Sequence, residues 1–491
     1  METIASGQPW IIWAVFSPLV GAIFAFLLPR HASLVGCLAA LATSGAILGL
    51  VRQVVEFGPQ RYLLGGWGAP LGVDLQADGL SVVMLLTAGV VGAGVTVYAT
   101  GYFQRSSQAA RAFWPLWLWL WTAMNALFLS ADIFNLYVTL ELLSLSAVAL
   151  VAVSGNADAL TGAMRYLLVS LLGSLSYLFG VVLFYGAHGT LDIALLGDLT
   201  GPSPADWVAT GLMITGLAIK SALFPLHFWL PPAHAAAPAP VSALLSALVV
   251  KASFYLLLRL WLDVFPVSTP VAGQLLGVLG AAAIVWGSLK ALRQKRLKLL
   301  VAYSTVAQLG YLFLAFPLAS TLAAATAWSG SVMFIVSHAL AKTAMFLAAG
   351  NILRSVGHDR IAELGGAQRS ATLSWIAFAI AGISIMGLPP SGGFTAKWVM
   401  LQAAFASGQW WWSMPIIGGG LLAAAYVFRI VALAFAPIGA PGTSKSVPKR
   451  MELAALGFAV AAVMAGFATL QILSLLDSGA PFGQIGAEAV L

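Results

Sequence analysis

Five ionisable residues stand inside long apolar runs of this 491-residue chain: Glu141, Lys220, Lys251, Lys342 and Lys397. A charge at the centre of a membrane helix costs about 2.5–3.5 kcal/mol on insertion scales, so five unpaired ones would cost roughly 10–15 kcal/mol. They are expected to face a bundle interior and to meet partners or water there. The chemistry open to them is proton transfer. Burial disfavours an ammonium and a neighbouring carboxylate favours it. At an effective dielectric of about 20, a carboxylate about 6 Å away contributes roughly 3 kcal/mol, or about two pKa units. Moving Glu141 toward or away from Lys220 would therefore load or release one proton. Lys220 and Lys251 cannot stand as a fixed cation pair at short range, so a third group or hydration must separate them. The competing reading makes these residues structural ion pairs or snorkelling helix ends. At least one apolar turn flanks Glu141, Lys220 and Lys251 on each side, which favours the relay.

Histidines extend the set. His338 and Lys342 are spaced i, i+4 and share one helix face, and an ionising neighbour makes His338 a better relay candidate than a lone core histidine. His227 and His234 flank a proline-rich stretch after Lys220. No two helices present facing histidines for a haem. The single Cys37 cannot build a disulfide, a paired-thiol redox motif or a thiolate metal cage. No Walker loop, dinucleotide fingerprint or nucleophile elbow occurs in the right context. No cofactor and no metal site are expected, and any redox or nucleotide-hydrolysing machinery must sit on another chain.

Two runs carry breakers beside their lysines. GLAIKSALFPLHFWLPPAHAAAPAP places Pro225, Pro231 and Pro232 after Lys220; GISIMGLPPSGGFTAKWVM places Gly387, Pro389, Pro390, Gly392 and Gly393 before Lys397. Proline removes a backbone donor and breaks a helix. Broken backbone at membrane depth survives only where it is buried in protein or lines a wet cavity. Two interrupted helices in corresponding positions of two halves point to an ion site in an inverted-repeat transporter.

The elements that position these residues are membrane helices. Hydrophobic residues make up 60% of the chain and charged ones 8%, against about 25% charged in soluble domains, which excludes a soluble core. Apolar runs predict about 14 helices near 9–29, 32–54, 78–103, 112–129, 131–154, 160–187, 205–230, 238–264, 270–291, 297–318, 321–353, 371–402, 410–436 and 450–477. The longest stretches between them, 55–77, 188–204 and 437–449, are too short for a second domain, so residues 1–491 form one membrane domain. The broken seventh and twelfth helices, five apart, predict two inverted five-helix repeats, 112–264 and 270–436. No Lys or Arg precedes Arg30, so the first run lacks the basic region of a signal peptide and is expected to remain as a helix.

Charge tests the count. Loops after the odd-numbered helices carry Arg30, Arg105, Arg111, Arg165, Lys290, Arg293, Lys295, Arg296, Lys298, Arg354, Arg360, Arg369, Lys445, Lys449 and Arg450, which are 15 of the 23 basic residues. The other side keeps Arg52, Arg61 and Arg259 with acidic Asp192, Asp198, Asp206, Asp477 and Glu488. The positive-inside rule then puts both termini outside the cytoplasm. It also explains the net charge of +7 without nucleic acid, which would need Lys and Arg clustered on one solvated face.

Several stretches resemble the antiporter-like subunit family shared by Mrp-type Na⁺/H⁺ antiporters, respiratory complex I and energy-converting membrane hydrogenases: GGWGAPLGVDLQADGLSVVM (65–84), ADIFNLYVTLELLSLSA (131–147), residues 219–259, LKLLVAYSTVAQLGYLFL (297–314), SHALAKTAMFLAAG (337–350) and GLPPSGGFTAKW (387–398). Residues 65–78 look most like the D-type subunit of the Mrp branch, and a lysine in the twelfth helix agrees. The resemblance implies that Glu141, Lys220, Lys251, His338, Lys342 and Lys397 form a mid-membrane proton relay, with helix breaks at Pro225, Pro389 and Pro390. It implies other membrane subunits as partners, H⁺ and Na⁺ as transported ions, and a bacterial inner-membrane location. The same relay in a proton-pumping subunit of an NADH:quinone oxidoreductase or a membrane-bound hydrogenase or formate-oxidising complex is the alternative.

Overall fold

The computed structural model describes residues 10–104, 107–265, 270–319, 323–365, 371–435 and 445–479. Arg105, Arg369, Glu488 and most of the stretch 437–449 lie outside the described residues. Among the described residues, twelve helices are long and apolar enough to cross a membrane: α1 (Trp10–Leu27), α2 (Ala32–Phe57), α3 (Gly79–Tyr102), α4 (Gln108–Leu129), α5 (Ile133–Ala152), α6 (Ala157–His188), α8 (Ala239–Asp263), α9 (Pro270–Leu292), α10 (Leu297–Leu318), α11 (Ala324–Val356), α13 (Trp410–Phe435) and α14 (Lys449–Phe467). The remaining two predicted runs are interrupted. The seventh is split into α7a (Pro204–Lys220) and α7b (Leu230–Ala236), and the twelfth into α12a (Thr372–Met386) and α12b (Gly392–Ala406).

Local chemistry fixes these ends. Asp132 begins α5 by accepting from the Asn135 amide at 2.7 Å, and Ser203 begins α7a by accepting from the Asp206 amide with Pro204 in the first turn. These caps satisfy amides that the helix leaves free. Of the prolines after Lys220, Pro225 lies in the gap, whereas Pro231 and Pro232 occupy the first turn of α7b, where the missing donor is harmless. Gly387 ends α12a at φ +83, a conformation in which a side chain is strained.

Burial orders the helices. Of the apolar stretch of α8, 100% is buried, and of α11, 94%, against 33% for α1 and α13. Outer helices turn Leu, Phe and Val outward, among them Phe26, Leu41, Leu172 and Leu421, as a lipid-facing surface requires. Glycines bring the outer helices close to the broken ones: a Cβ on Gly216 of α7a would collide with the Gly173 carbonyl of α6. The same device recurs where α9 meets α10, at Gly280 and Gly310.

Two features depart from the sequence reading. Part of the stretch 55–77 folds as an antiparallel hairpin of β1 (Gln60–Leu63) and β2 (Asp74–Ala77), tied down by Arg61 to Asp74 at 2.7 Å and to Asp192 at 2.9 Å. Arg259 and Lys298, expected in loops, are buried within α8 and α10. Arg259 forks onto Asp78, which caps α3, at 2.5 and 2.8 Å. The fork compensates the buried guanidinium, which is what makes its burial tolerable.

Candidate functional site

Lys220 is the last residue of α7a, and the helix ends there because the next residues cannot continue it. Ala222 takes a left-handed φ of +53 and Pro225 has no amide to donate. The indole of Trp229 donates to the Ile219 carbonyl at 3.0 Å. The Lys220 ammonium lies 3.0 Å from Glu141 Oε1 of α5, and also donates to Ser144 Oγ at 2.7 Å and Ser170 Oγ at 3.1 Å. Ser174 donates to the same carboxylate. The pair is nearly dry, with 3% of the lysine side chain and 17% of the glutamate side chain exposed.

The next three lysines are held differently. Lys251 is fully buried and donates to the Ser246 carbonyl at 2.6 Å. That carbonyl belongs to a π-helical turn, Leu245–Val249, within α8; such turns shift the ladder and free backbone groups. Ser246 Oγ is 2.8 Å from Thr305 Oγ1 of α10. Lys342 of α11 donates to Ser304 Oγ and, at 3.1 Å, to the Val301 carbonyl. Lys397 of α12b reaches back across the break to the Ile385 carbonyl at 2.9 Å and the Met386 carbonyl at 3.2 Å, and its ammonium lies 4.5 Å from the ring centre of Tyr311. A cation at the carbonyl end of a half-helix is electrostatically favoured, as is one over an aromatic face. Among the described residues, no carboxylate lies within ion-pair distance of Lys251, Lys342 or Lys397.

Histidines fill the intervals. His338 is in electrostatic range of Lys251, Lys342 and Lys397, and among the described residues neither ring nitrogen has a hydrogen-bond partner. His234, on α7b, is fully buried and stacks on Phe346 at 4.9 Å. Both its nitrogens are likewise unpartnered, and the charges of Lys298, Lys342 and Lys251 reach it. Sequence reasoning names His234 by its proline-rich flank without carrying it into the relay, and reads Lys298 as a loop residue, since nothing marks it as buried. His227 lies within the break, in the turn Leu226–Trp229, stacks on Phe224 at 5.5 Å and is in range of Lys290.

The arrangement thus brings Lys251, His338, Lys342 and Lys397 into one electrostatic series, with the Glu141–Lys220 pair as a separate unit bounded by Ser144, Ser170 and Ser174. Membrane-length helices and two broken ones that enclose buried titratable groups define a polytopic membrane protein. Residues 130–423 match the family described as NADH:quinone oxidoreductase/Mrp antiporter, TM, and the chain belongs to that family. It is 34% identical to the N subunit of the NADH-quinone oxidoreductase of Desulforudis audaxviator, over 90% of this chain and 91% of that protein. It is 29% identical to the D subunit of the Na(+)/H(+) antiporter of Alkalihalophilus pseudofirmus, over 87% and 86%. Among solved structures, a chain of an archaeal membrane-bound sulfane sulfur reductase superposes with a TM-score of 0.89 at 27% identity, over 98% of this chain and 99% of that one. A chain of the Mrp complex from Dietzia sp. superposes at 0.86 over 98% of both, with 22% identity. Both superpositions span almost the whole chain, and both structures are of membrane complexes.

Proposed function

We propose that this chain is the proton-translocating subunit of a multisubunit Na⁺/H⁺ antiporter of the Mrp type. Glu141, Lys220, Lys251, His338, Lys342 and Lys397 form its relay. The observation that carries the reading is the contrast between one carboxylate-paired lysine and three lysines that have no carboxylate within ion-pair distance among the described residues. Ammoniums without counter-charges repel one another in a low-dielectric interior, so a proton gained at one end of the series is driven toward the other. Lys220 is restrained by Glu141, and parting that pair couples it to the next lysine. The relative from the Na(+)/H(+) antiporter, matched along most of its length, supports the assignment.

The two five-helix repeats, 112–264 and 270–436, are part of the proposal. Support comes from the like packing of α6 on α7a and of α11 on α12a, and from lysines at both breaks. So are the bacterial inner membrane, both termini outside the cytoplasm, Na⁺ as the exchanged ion, a surrounding lipid bilayer and further membrane subunits as partners. One observation favours a second reading: identity is higher to the NADH-quinone oxidoreductase relative than to the antiporter relative. In that case electron transfer on other chains drives the same relay.

Everted vesicles carrying the whole complex separate the two. An antiporter dissipates a pre-formed ΔpH when Na⁺ is added and needs no electron donor. A redox-driven pump builds ΔpH only with its donor and ignores Na⁺. Absence of ΔpH movement under both conditions would refute the relay itself.

A further inference from the structure

Lys298 is a buried titratable residue that the relay does not use. It lies in the first turn of α10, only 5% exposed, beside the loop that carries Arg293, Lys295 and Arg296. Its ammonium donates to the Ala235 carbonyl at 3.1 Å and to the Ala237 carbonyl. Those carbonyls close the C-terminal end of α7b, and α7b also carries His234. Two neighbours flank the lysine. Toward the loop is Asp359, whose charge reaches Lys298, and whose carboxylate is clasped by Arg296 at 2.9 and 3.0 Å. On its other flank is His234, one residue before Ala235 on α7b, fully buried and stacked on Phe346 of α11, with no hydrogen-bond partner for either ring nitrogen among the described residues.

We infer that Lys298 is the proton-loading residue between the basic-loop face of the protein and the buried relay, with His234 as the group that receives its proton. The inference rests on the relay reading and adds its intake end. Three features carry it. The ammonium uses carbonyl acceptors and, among the described residues, no ion pair, so no unpaired carboxylate is stranded when the proton leaves. Of its three donor hydrogens, two are engaged by Ala235 and Ala237. His234 directly precedes Ala235, whose carbonyl Lys298 holds, and its ring stacks on Phe346, one turn from Lys342 on α11, so it stands between Lys298 and the relay with a ring nitrogen that has no partner among the described residues. In the transfer an N–H bond of the Lys298 ammonium breaks and an N–H bond of the His234 ring forms, so the positive charge moves inward by one residue. Lys298 is then reprotonated from water at the Asp359 side. The groups facing Lys298 across this step are Asp359, Arg296 and His234.

The competing role is a fixed charge that holds the end of α7b. Three substitutions distinguish them in everted vesicles carrying the complete complex, with initial proton flux measured at equal abundance of the assembled complex. Lys298→Arg keeps the charge and the donors but does not deprotonate in proteins. Lys298→His keeps a group that accepts and gives protons. Lys298→Met keeps neither. The expected order is His above Arg and Met, with Arg and Met both reduced at least tenfold. Arg equal to or above His, or Arg retaining more than half of the wild-type flux, would overturn the loading role and leave a helix-holding charge. Glu141→Gln runs beside them: its loss of flux with full flux in Lys298→Arg removes only the Lys298 step, whereas wild-type flux in Glu141→Gln removes the relay itself.

Discussion

Replacing Glu141 by Gln is the sharpest perturbation available. Glu141 Oε1 and Lys220 Nζ are 3.0 Å apart, and at an effective dielectric of about 20 two unit charges at that separation attract by about 5 kcal/mol. The glutamate side chain is 17% exposed, so solvent reduces the figure toward the lower end of the range of about 3–5 kcal/mol seen when one partner of a buried pair is removed. Glutamine keeps the shape, still accepts from Ser174 and Lys220, and leaves Ser144 and Ser170 in place. The helix packing therefore survives while the charge is lost. A change of about 3 kcal/mol is a factor of roughly 150 in an equilibrium, so proton flux through the relay is expected to fall by about two orders of magnitude. The assay is dye-reported ΔpH in everted vesicles, with complex abundance checked by immunoblot and gel mobility. Glu141→Asp, which keeps the charge on a shorter stem, should retain an intermediate flux. Glu141→Gln vesicles with more than a tenth of the wild-type flux would refute the reasoning and make the pair a structural one.

Lys397→Arg should fail as completely as Lys397→Ala in the same vesicle assay, because guanidinium holds its proton; substantial flux in the Arg variant would leave Lys397 as a packing residue. Gly387→Ala would put a Cβ 2.7 Å from Lys397 Cδ at a residue whose φ is +83. It should reduce flux severalfold with the complex still assembled, and normal flux would mean that the lysine's position at the break is unimportant. Asp78→Asn uncouples Arg259, a pair outside the relay, so thermal stability in detergent should drop, by about 3 kcal/mol, with flux per assembled complex unchanged. A reporter fused after Asp477 should be accessible from outside the cytoplasm, and a cytoplasmic signal would show that the helix count is off by one.

Most of the helical fold can be read from hydropathy, because membrane helices need about 20 apolar residues and little else. The two breaks are legible for a similar reason: Pro225 and the run Gly387 to Gly393 remove amides or favour conformations that helices do not use. Other parts leave no such mark. The π-turn at Leu245–Val249 occurs in a run without glycine or proline, and is stabilised by Lys251 and by Thr305, a partner 59 residues away from Ser246. The hairpin of β1 and β2 depends on Arg61 meeting Asp192, 131 residues distant. Lys298 follows a cluster of basic loop residues and reads as one more of them. It is drawn inward by the carbonyls at the end of α7b, which belong to a different part of the sequence. Local signals are readable one segment at a time, whereas these three features are set by a partner from elsewhere in the chain.

The coincidence of lysines with disturbed backbone has a physical cause that bears on how the relay works. A regular helix offers a buried ammonium only the second lone pair of carbonyls that already accept amides four residues on, as the Val301 carbonyl of α10 does for Lys342. A break or a π-turn releases carbonyls, and Lys251 and Lys397 each donate to carbonyls released in this way. A carboxylate would bind an ammonium more strongly, but removing the proton would then strand a buried anion at a cost of several kcal/mol. A carbonyl leaves no such charge behind. Carbonyl-held lysines are therefore suited to passing a proton on, and a carboxylate-held lysine to keeping one until its partner moves. In the proposed relay, Glu141 beside Lys220 would act as a latch and the carbonyls beside Lys251 and Lys397 would line a conducting stretch, and the latch is where an external event, whether cation binding or electron transfer on another chain, would have to act.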